Sequence, residues 1–330
     1  MNTTWSDFLA SREINKEAAE PACALNDLSH FGLIRVEGED AESFLQGQLT
    51  NDLRQVTEGH SNLAGWCSAK GRMLANFRCF RRGDAYYLQT PQENLPAVIK
   101  RLGMFVLRAK VKISDASDEL MRMGITGDCA EPILTPFIDT LPEAVNGVTQ
   151  QGPLSLIRLP GPISRYEVVG PAEALIPLWE TAESQAVRMG EGYWALQEIH
   201  AGIPIIYQST SEAFVPQMTN MQLIDGVSFT KGCYVGQEVV ARMQYLGKLK
   251  RRMYLARVES PTPPMPGDEL FASGSTSGQG AGKVVDAQPR GNGYDLLAVI
   301  EVASAEEDAV TLGENGPKLT IENPPYPFAE

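Results

Sequence analysis

The sequence predicts an α+β protein in which one structural unit occurs twice and a small β-rich domain follows. The first observation is that "MRMGITGDCAEPI" (121–133) repeats the pattern of "GLIRVEGEDAESF" (32–44). The second is that "RYEVVGPAEALIPLWETA" (165–182) repeats "AYYLQTPQENLPAVIKRL" (85–102), with a proline opening each helix. The third is a change, after Gly247, to short β-rich runs separated by Gly, Pro and Ser.

These patterns divide the chain into three predicted parts. Residues 1–25 are polar and rich in Ala and Glu, which indicates a loosely held N-terminal arm. Residues 26–246 contain both copies of the repeat. The pattern of residues 247–330 predicts a small β-barrel or sandwich. A chain of 330 residues is longer than a single hydrophobic core usually grows, which agrees with more than one structural unit.

The charge and hydropathy of the chain exclude some classes of protein. A formal net charge of -13 argues against tight nonspecific binding to nucleic acid, because such a chain repels phosphates. One compact basic run, "KLKRRM" (248–253), is either a local anion site or, in preference, a solvated strand end. The N-terminus lacks the pattern of a signal peptide, and no apolar run approaches the ~20 residues that cross a bilayer. We therefore expect a soluble, cytoplasmic protein without a membrane partner.

The cysteines and histidines predict neither a metal site nor a disulfide framework. The five cysteines are an odd set without a CxxC pair: Cys23, Cys67, Cys79, Cys129 and Cys233. The three histidines are scattered and show no HExxH spacing. A self-contained zinc or iron–sulfur site is therefore not expected.

The segment "FTKGCYVGQEVVARM" (229–243) is the candidate site. Gly232 and Gly236 allow a tight turn, and a helical pattern follows at once. Cys233 lies at or just before the helix N-terminus, two residues from Lys231, and both neighbours favour an ionised thiol. On these residues alone, Cys233 is either an activated thiol or a small half-buried residue in the turn. The second interpretation is favoured, because a single cysteine without a nearby histidine is weak evidence for a nucleophile.

The motif Lys-Gly-Cys-Tyr-x-Gly-Gln-Glu resembles the signature of the YgfZ-type folate-binding proteins, relatives of the glycine-cleavage aminomethyltransferase (T-protein). Further matching segments run through nearly the whole chain in the family's order: "FLQGQLTNDL" (44–53), "AKGRMLANF" (69–77), "IHAGIPII" (199–206) and "FVPQMTNMQLIDGVSFTKGCYVGQE" (214–238). The resemblance implies a duplicated ferredoxin-like body of the T-protein type around a folate cavity, with a C-terminal β-barrel. It also implies tetrahydrofolate, or a one-carbon derivative, as the cofactor, and a part in making or repairing iron–sulfur clusters, including those of tRNA-modifying enzymes.

The resemblance also implies a set of site residues. Cys233 and Lys231 are the candidates for chemistry, and the candidates for folate binding are Phe31, Asn76, Trp194, Gln217, Asn220, Tyr234, Gln237, Glu238 and Arg242. Phe31 and Trp194 take the places of two folate-contacting tryptophans of the family. Ordinary helix-core packing competes equally for Trp194.

Other candidates keep a structural alternative. Turn capping competes almost equally with pterin binding for Gln217 and Asn220. Arg242 either meets a carboxylate of the folate tail or pairs with Glu238 one helical turn earlier. His200 stands where many relatives have Glu, and we interpret it as a structural substitution.

One departure from the T-protein pattern concerns catalysis. Ala75 and Asn76 stand where the T-protein has an Asp-Asp pair, whose second member is its key catalytic carboxylate. Asparagine can neither act as a base nor stabilise a developing positive charge. The T-protein also lacks a cysteine at the position of Cys233. We therefore do not expect aminomethyl transfer by the T-protein route, and the sequence leaves open whether the protein is an enzyme.

Three functional hypotheses follow. The leading one is a folate-dependent accessory protein in iron–sulfur cluster maintenance, in which Cys233 is redox-active or a transient contact for a cluster or sulfur. Its partners would be folate and iron–sulfur enzymes or assembly factors. The second is a folate-dependent one-carbon transferase or another thiol-dependent enzyme. The third is a scaffold that senses folate and contacts tRNA-modifying enzymes or tRNA itself through Lys248, Lys250 and Arg251, although the acidic charge disfavours direct RNA contact.

Overall fold

The computed structural model describes residues 2–15, 20–247, 249–275 and 280–328. Lys248 of the basic run lies outside these residues. The chain forms two compact units. The first unit comprises Met1–Leu45, Leu53–Asn62 and Phe77–Trp194, and the second comprises Gln46–Asp52, Leu63–Asn76 and Ala195–Glu330.

The first element is helix α1 (Thr3–Ala10), which is tied to the first unit by one tryptophan. Trp5 is fully buried and meets the ring of Trp179 edge-on, with the ring centroids 5.4 Å apart. Its indole N–H donates a hydrogen bond to Asp27 at 3.0 Å. Within the segment 1–25, for which the polar composition predicts a loosely held arm, this helix therefore has one strong anchor in the first unit.

The first copy of the repeat follows. In chain order the elements are β1 (Cys23–Asp27), β2 (Phe31–Glu37), α2 (Ala41–Gln46), β3 (Asn62–Cys67), β4 (Met73–Arg82), β5 (Ala85–Pro91), α3 (Leu95–Gly103) and β6 (Lys112–Asp115). Strands β2 to β6 form a sheet with the order β3-β4-β5-β2-β6. Strand β2 lies antiparallel to β5 and β6, and β4 lies antiparallel to β5.

The second copy repeats this order of elements. It comprises β7 (Met121–Gly127), α4 (Ala130–Leu134), β8 (Val148–Gln151), β9 (Leu154–Leu159), β10 (Arg165–Gly170), α5 (Ala172–Glu183) and β11 (Val187–Met189). The sheet order is β11-β1-β7-β10-β9-β8. The run β8-β9-β10-β7 therefore matches β3-β4-β5-β2 strand for strand, with β1 added between β7 and β11. This match confirms the duplicated α+β unit that the sequence repeats predict.

The C-terminal part is β-rich, as predicted. After α6 (Glu191–His200) and α7 (Gln237–Leu246) come β12 (Arg251–Val258), β13 (Glu269–Ala272), β14 (Gly282–Arg290), β15 (Gly293–Glu301), α8 (Val302–Glu306), β16 (Val310–Leu312) and β17 (Thr320–Glu322). The six strands form one sheet, β16-β13-β14-β15-β12-β17, which curls into a half-barrel. Alternate residues serve different cores: Met253 and Val299 pack with Phe214, while Tyr254 and Ile300 belong to the core on the other face.

Cys23 and Cys129 form a disulfide that spans 106 residues of sequence, with their α-carbons 5.8 Å apart. The pairing of β1 with β7 sets Cys23 opposite Gly127, and Cys129 follows two residues later. The argument against disulfide pairing is therefore wrong for these two cysteines. Their partnership depends on long-range strand pairing, which leaves no short spacing motif in the sequence.

Among the described residues, no helix combines the length and the apolar character needed to cross a bilayer. In the same part of the chain, no three His, Cys, Asp or Glu side chains gather into a group suited to a metal ion.

Candidate functional site

Two sequence motifs meet at the start of α7, and each contributes a glycine. Gly71 of "AKGR" has φ 69°, and Gly236 of "GCYVGQE" has φ 83°. A β-carbon on Gly236 would lie 2.4 Å from the carbonyl oxygen of Ser68, and one on Gly71 would lie 2.7 Å from the Val239 side chain. Both positions therefore require glycine for backbone conformation and for space. The helix begins at Gln237, directly after this close approach.

Lys231 is a buried anchor, with 5% of the residue exposed. Its ammonium donates hydrogen bonds to the backbone carbonyls of Gln46 at 2.7 Å, Leu49 at 2.6 Å and Asn51 at 2.9 Å. It also lies 5.2 Å from the centroid of the Tyr234 ring. The lysine of the cysteine motif thus holds the backbone of the motif "FLQGQLTNDL". Its charge is engaged by these carbonyls, a role that sequence proximity to Cys233 did not predict.

The segment held by Lys231 also fixes the loop that leads to the cysteine. The hydroxyl of Thr50 donates to the Gly226 carbonyl at 2.7 Å and accepts from the Gly65 N–H at 2.7 Å. The amide of Asn51 donates to the Asp225 carbonyl at 2.6 Å. Side chains of one motif therefore satisfy backbone groups at the start of this loop and in β3, which makes the segment before Cys233 well defined.

Cys233 is an exposed free thiol. Its neighbour Gly232 has open space where a β-carbon would stand. Cys67, in β3, is instead buried, and burial raises the pKa of its thiol to about 12. Burial, with a smaller effect of Cys67, also raises the pKa of Tyr234. Since the thiolate is the reactive form, the raised pKa makes the buried Cys67 unreactive. Cys233 is exposed, so a reagent or a partner can reach it.

This difference in exposure predicts selective alkylation of the native protein. We expect iodoacetamide to modify Cys233 at least ~100-fold faster than Cys67 or Cys79, which are both buried. In denaturant the three thiols should react at similar rates. Peptide mass spectrometry of time points would measure the three rates, and comparable rates in native protein would contradict the placement of Cys233.

Asn76 is buried and both ends of its amide are used by backbone. Its Nδ2 donates to the carbonyl of Pro204 at 2.7 Å, and its Oδ1 accepts from the N–H of Ile206 at 2.9 Å. The side chain therefore bridges β4 to the "GIPII" segment in place of a catalytic carboxylate. Its hydrogen bonds explain why a neutral amide, which has both a donor and an acceptor, fits this position.

Gln217 and Asn220 are buried residues of the segment that follows Phe214. Nε2 of Gln217 donates to the carbonyl of Val240 at 2.6 Å, and Nδ2 of Asn220 donates to that of Met253 at 2.8 Å. Asn220 also ends a 3₁₀ helix with φ 58°, so the turn role is present. Within the part of the chain that the structure describes, Oε1 of Gln217 and Oδ1 of Asn220 accept no hydrogen bond. Buried acceptors of this kind are costly unless a donor reaches them.

The remaining candidates of the motif lie on α7. Glu238 and Arg242 are exposed on the same side of the helix, four residues apart, and Gln237 is half-buried. Val240 is the buried residue of this helix. The exposed pair is thus open to a ligand carrying N–H groups or carboxylates.

Phe31 and Trp194 belong to the first unit. Phe31 is 7% exposed, lies beside His30 with ring centroids 4.3 Å apart, and its carbonyl accepts a hydrogen bond from Arg122 at 2.6 Å. Burial and the charge of Arg122 lower the pKa of His30 to about 4. Trp194 is fully buried, and its ring occupies the space above Gly124, where a β-carbon would lie 2.2 Å from it. Its surroundings are those of a core residue.

His200 has a structural partner in the C-terminal sheet. Its Nε2 lies 2.9 Å from Oδ2 of Asp295. The carboxylate of Asp295 also accepts hydrogen bonds from Arg257, at Oδ1, and from Arg290, at Oδ2. Burial alone would raise the pKa of Asp295, but the hydrogen bonds from His200, Arg290 and Arg257 outweigh it and lower the pKa to about 2. The structure therefore agrees with the interpretation of His200 as a structural substitution.

Asp286 is a buried carboxyl that the sequence did not single out. It lies at a bulge in β14 and accepts a hydrogen bond from the hydroxyl of Tyr207 at 3.0 Å. Burial raises its pKa to about 7, with a further contribution from Glu198, although the hydrogen bonds from Tyr207 and the Ala287 N–H oppose the rise. Strand alternation could not reveal this group, because the bulge shifts the register between Val284 and Asp286.

The raised pKa of Asp286 predicts a pH-dependent stability. A carboxyl whose pKa rises on folding stabilises the protein below the unfolded value near ~4, and this contribution is lost as the pH rises through about 7. In urea titrations, the unfolding free energy of wild type minus that of Asp286→Asn should fall between pH 4 and pH 8, by up to about 4 kcal/mol. The lowered pKa of His30 acts in the opposite direction, but equally in both proteins. Asp308→Asn, at an exposed carboxylate, should keep the wild-type profile. Identical profiles for Asp286→Asn and wild type would contradict the assignment.

Comparisons with known proteins place these features in a family. Residues 5–149 match the family described as the GCVT N-terminal domain. A protein of Colwellia psychrerythraea is 37% identical over 244 residues, which cover 74% of each chain. A protein of Klebsiella pneumoniae is 30% identical over 303 residues, which cover 92% of each chain. Both relatives carry the name tRNA-modifying protein YgfZ.

A solved structure shows the fold. The glycine cleavage system aminomethyltransferase T from Bartonella henselae superposes with a TM-score of 0.66 at 16% identity, over 97% of this chain and 88% of that one. This likeness confirms the predicted α+β fold of the T-protein type. Together with the relatives at 30% and 37% identity, it leads to one conclusion: the chain belongs to the YgfZ family.

Proposed function

We propose that the protein binds tetrahydrofolate, or a one-carbon derivative of it, and supports the assembly or repair of iron–sulfur clusters in other enzymes, including enzymes that modify tRNA. The observation that carries the proposal is the exposed thiol of Cys233 on a turn fixed by Lys231 and Gly236. An exposed thiol in a fixed position can meet a cluster, a sulfur atom or a partner's thiol without rearrangement of its own chain. The name of the relatives, tRNA-modifying protein, supports the link to tRNA modification.

Part of the candidate set fits folate. Gln217 and Asn220 are 2% and 0% exposed, so they would accept hydrogen bonds from the pterin only if binding opens their segment, and their buried oxygens would then gain the donors they need. Glu238 would accept from a neutral heterocycle, and the exposed Arg242 would meet a carboxylate of the tail. Tyr234 and Gln237 would complete the set from the same motif. Phe31, a residue of the first unit, stays a separate candidate for folate binding.

Two candidates leave the proposed folate set. Trp194 has no exposed ring surface, and the amide of Asn76 is already satisfied by backbone groups.

The proposal places the folate-binding body at 26–246 and the β-rich domain at 247–330, in a cytoplasmic protein. Aminomethyl transfer of the T-protein type is not part of it, because Asn76 provides no carboxylate.

Complementation of a deletion strain tests the role of the thiol. Wild type, Cys233→Ala and Gly232→Ala would be compared for the activity of iron–sulfur enzymes and for tRNA thiomethylation. We expect Cys233→Ala to lose at least ~10-fold in both readouts, while its unfolding free energy changes by less than ~0.5 kcal/mol because the side chain is exposed. Gly232→Ala is the matched control, since it alters the adjacent residue in open space and keeps the thiol. Full rescue by Cys233→Ala would remove the thiol from the proposal.

Calorimetric titration with tetrahydrofolate tests the cofactor separately. Binding to the wild-type chain should weaken in Arg242→Ala by about 3–10-fold, as expected for loss of one charge-assisted contact. Lys318→Ala, which removes an exposed cation from the C-terminal sheet region, should leave the affinity unchanged. Absence of saturable binding would reject folate as the ligand without affecting the test of Cys233.

A further inference from the structure

A cavity of about 310 Å³ lies in the second unit, and none of the residues discussed as folate or thiol candidates lines it. Its lining comprises Arg72, Ala213, Phe214, Met218, Arg251, Glu269, Lys283 and Val299. We call it the anion cavity. Three of the segments seen in the sequence contribute to it: Arg72 comes from "AKGRMLANF", Phe214 and Met218 from "FVPQMTNMQLIDGVSFTKGCYVGQE", and Arg251 from the basic run "KLKRRM".

Strand register explains why charged residues gather on one wall of the anion cavity. Glu269 of β13 pairs with Lys283 of β14, and Lys283 pairs with Val299 of β15. Directly paired residues project on the same face of a sheet, so these three side chains lie in a row. Arg251 of β12 pairs with Glu301, two residues beyond Val299, and therefore projects on that face as well.

A fixed arginine and apolar side chains complete the lining. Arg72 directs one terminal nitrogen to the carbonyls of Glu212 at 3.1 Å and Ala213 at 2.8 Å. A guanidinium has five N–H donors in a rigid plane, so these two bonds orient the group and leave donors on its other edge. Ala213 and Met218, which are half-buried, form the apolar base, and the buried Phe214 and Val299 add little surface to it.

The balance of charge in the anion cavity is the reverse of that of the whole chain. Among the described residues that line it, three are cations and one is a carboxylate, although the formal net charge of the protein is -13. Glu269 is already engaged with Lys283, at 3.2 Å. Arg251 is oriented by a hydrogen bond to the Gly280 carbonyl at 2.6 Å. Cations collected in a concave and partly apolar place favour an anionic ligand, because a bound anion offsets the cost of burying their charge.

We propose that the anion cavity binds a small organic anion, whose carboxylate or phosphate group meets the cations while an apolar body the size of a benzene ring lies against the base. The volume is at the lower end of the ~300–1,000 Å³ range of ligand pockets, which limits the ligand to this size. The apolar base distinguishes such a ligand from inorganic phosphate. The site is separate from the proposed folate site, and its function does not depend on Cys233.

Titration calorimetry of the full chain with phenyl phosphate, benzoate and inorganic phosphate tests the proposal. We expect saturable binding of phenyl phosphate or benzoate at one site per chain, at least ~10-fold tighter than that of inorganic phosphate. The ratio of the two organic affinities identifies the preferred anionic group. Excess tetrahydrofolate should not displace either probe, and displacement would overturn the claim of a separate site.

Matched charge-removing variants locate the binding. Arg251→Met and Lys283→Met should each weaken the tighter probe by at least ~5-fold, since each loses one charge-assisted contact. Lys318→Met removes an equal charge outside the cavity and should change the affinity by less than about twofold. Lys283 is partly exposed, so Lys283→Met is expected to fold, which circular dichroism would verify. No saturable binding, inorganic phosphate binding as tightly as the organic probes, or equal losses in the three variants would overturn the proposal.

Discussion

Lys231→Met is expected to lower the unfolding free energy by about 3–5 kcal/mol, although it removes only one side-chain ammonium. The substitution leaves the carbonyls of Gln46, Leu49 and Asn51 without their donor in a region where Lys231 is 5% exposed. An unsatisfied buried carbonyl costs roughly 1–3 kcal/mol, and local relaxation or water recovers part of the sum. Urea denaturation followed by circular dichroism measures the loss.

Lys100→Met is the control for this experiment, because Lys100 is exposed on α3. It should change the unfolding free energy by less than ~0.5 kcal/mol. A loss below about 1 kcal/mol for Lys231→Met would show that the three carbonyls do not depend on the lysine. If the expected loss is found, a loss of function in Lys231 variants reports unfolding of the turn, and only Cys233 variants test the chemistry of the thiol.

Asn76→Asp should destabilise the protein by about 3 kcal/mol at pH 7 and confer no aminomethyltransferase activity. The substitution replaces the amide donor, which lies 2.7 Å from the Pro204 carbonyl, by an oxygen that repels it. A buried carboxylate beside a carbonyl is disfavoured, so the pKa of the introduced carboxyl should rise. The stability deficit should then shrink below that pKa, since a protonated carboxyl can again donate to Pro204.

Urea titrations at pH 4 and pH 7 measure this deficit, and Asn76→Ala provides the comparison. Asn76→Ala removes both hydrogen bonds without adding charge, so its deficit should not depend on pH. Formation of 5,10-methylenetetrahydrofolate, with release of ammonia, from an aminomethyl donor and tetrahydrofolate measures transferase activity. Appearance of that activity in Asn76→Asp would contradict the role of Asn76 as a backbone bridge and would revive the transferase hypothesis.

Sequence patterns predicted those parts of the fold that depend on residues close together in the chain. The first repeated sequence pattern falls on β2–α2 and again on β7–α4. The second falls on β5–α3 and again on β10–α5. The matching strand orders of the two sheets confirm both repeats. The position of β1 between β7 and β11 and the disulfide of Cys23 with Cys129 depend on pairing across about a hundred residues. No spacing along the chain encodes such pairs.

The candidate site likewise has features that the sequence predicted and contacts between distant residues that it did not. Its segments were found by resemblance, but their contacts were not foreseen. Lys231 is two residues from Cys233 in sequence, which suggested an electrostatic effect on the thiol, yet its ammonium reaches backbone 180 residues earlier in the chain. Asn76 was judged by the carboxylate it lacks, while its two hydrogen bonds to the "GIPII" backbone could only be seen in three dimensions.

The chemistry of the Lys231 acceptors has a consequence for how this region can vary among relatives. All three are main-chain oxygens, which every amino acid carries, so side-chain replacement at Gln46, Leu49 or Asn51 leaves them in place. The donor, in contrast, must be a long flexible cation at one position. Substitutions should therefore accumulate more freely at Gln46, which is half-buried, than at Lys231, whereas the fully buried Leu49 is constrained by the packing of its own side chain.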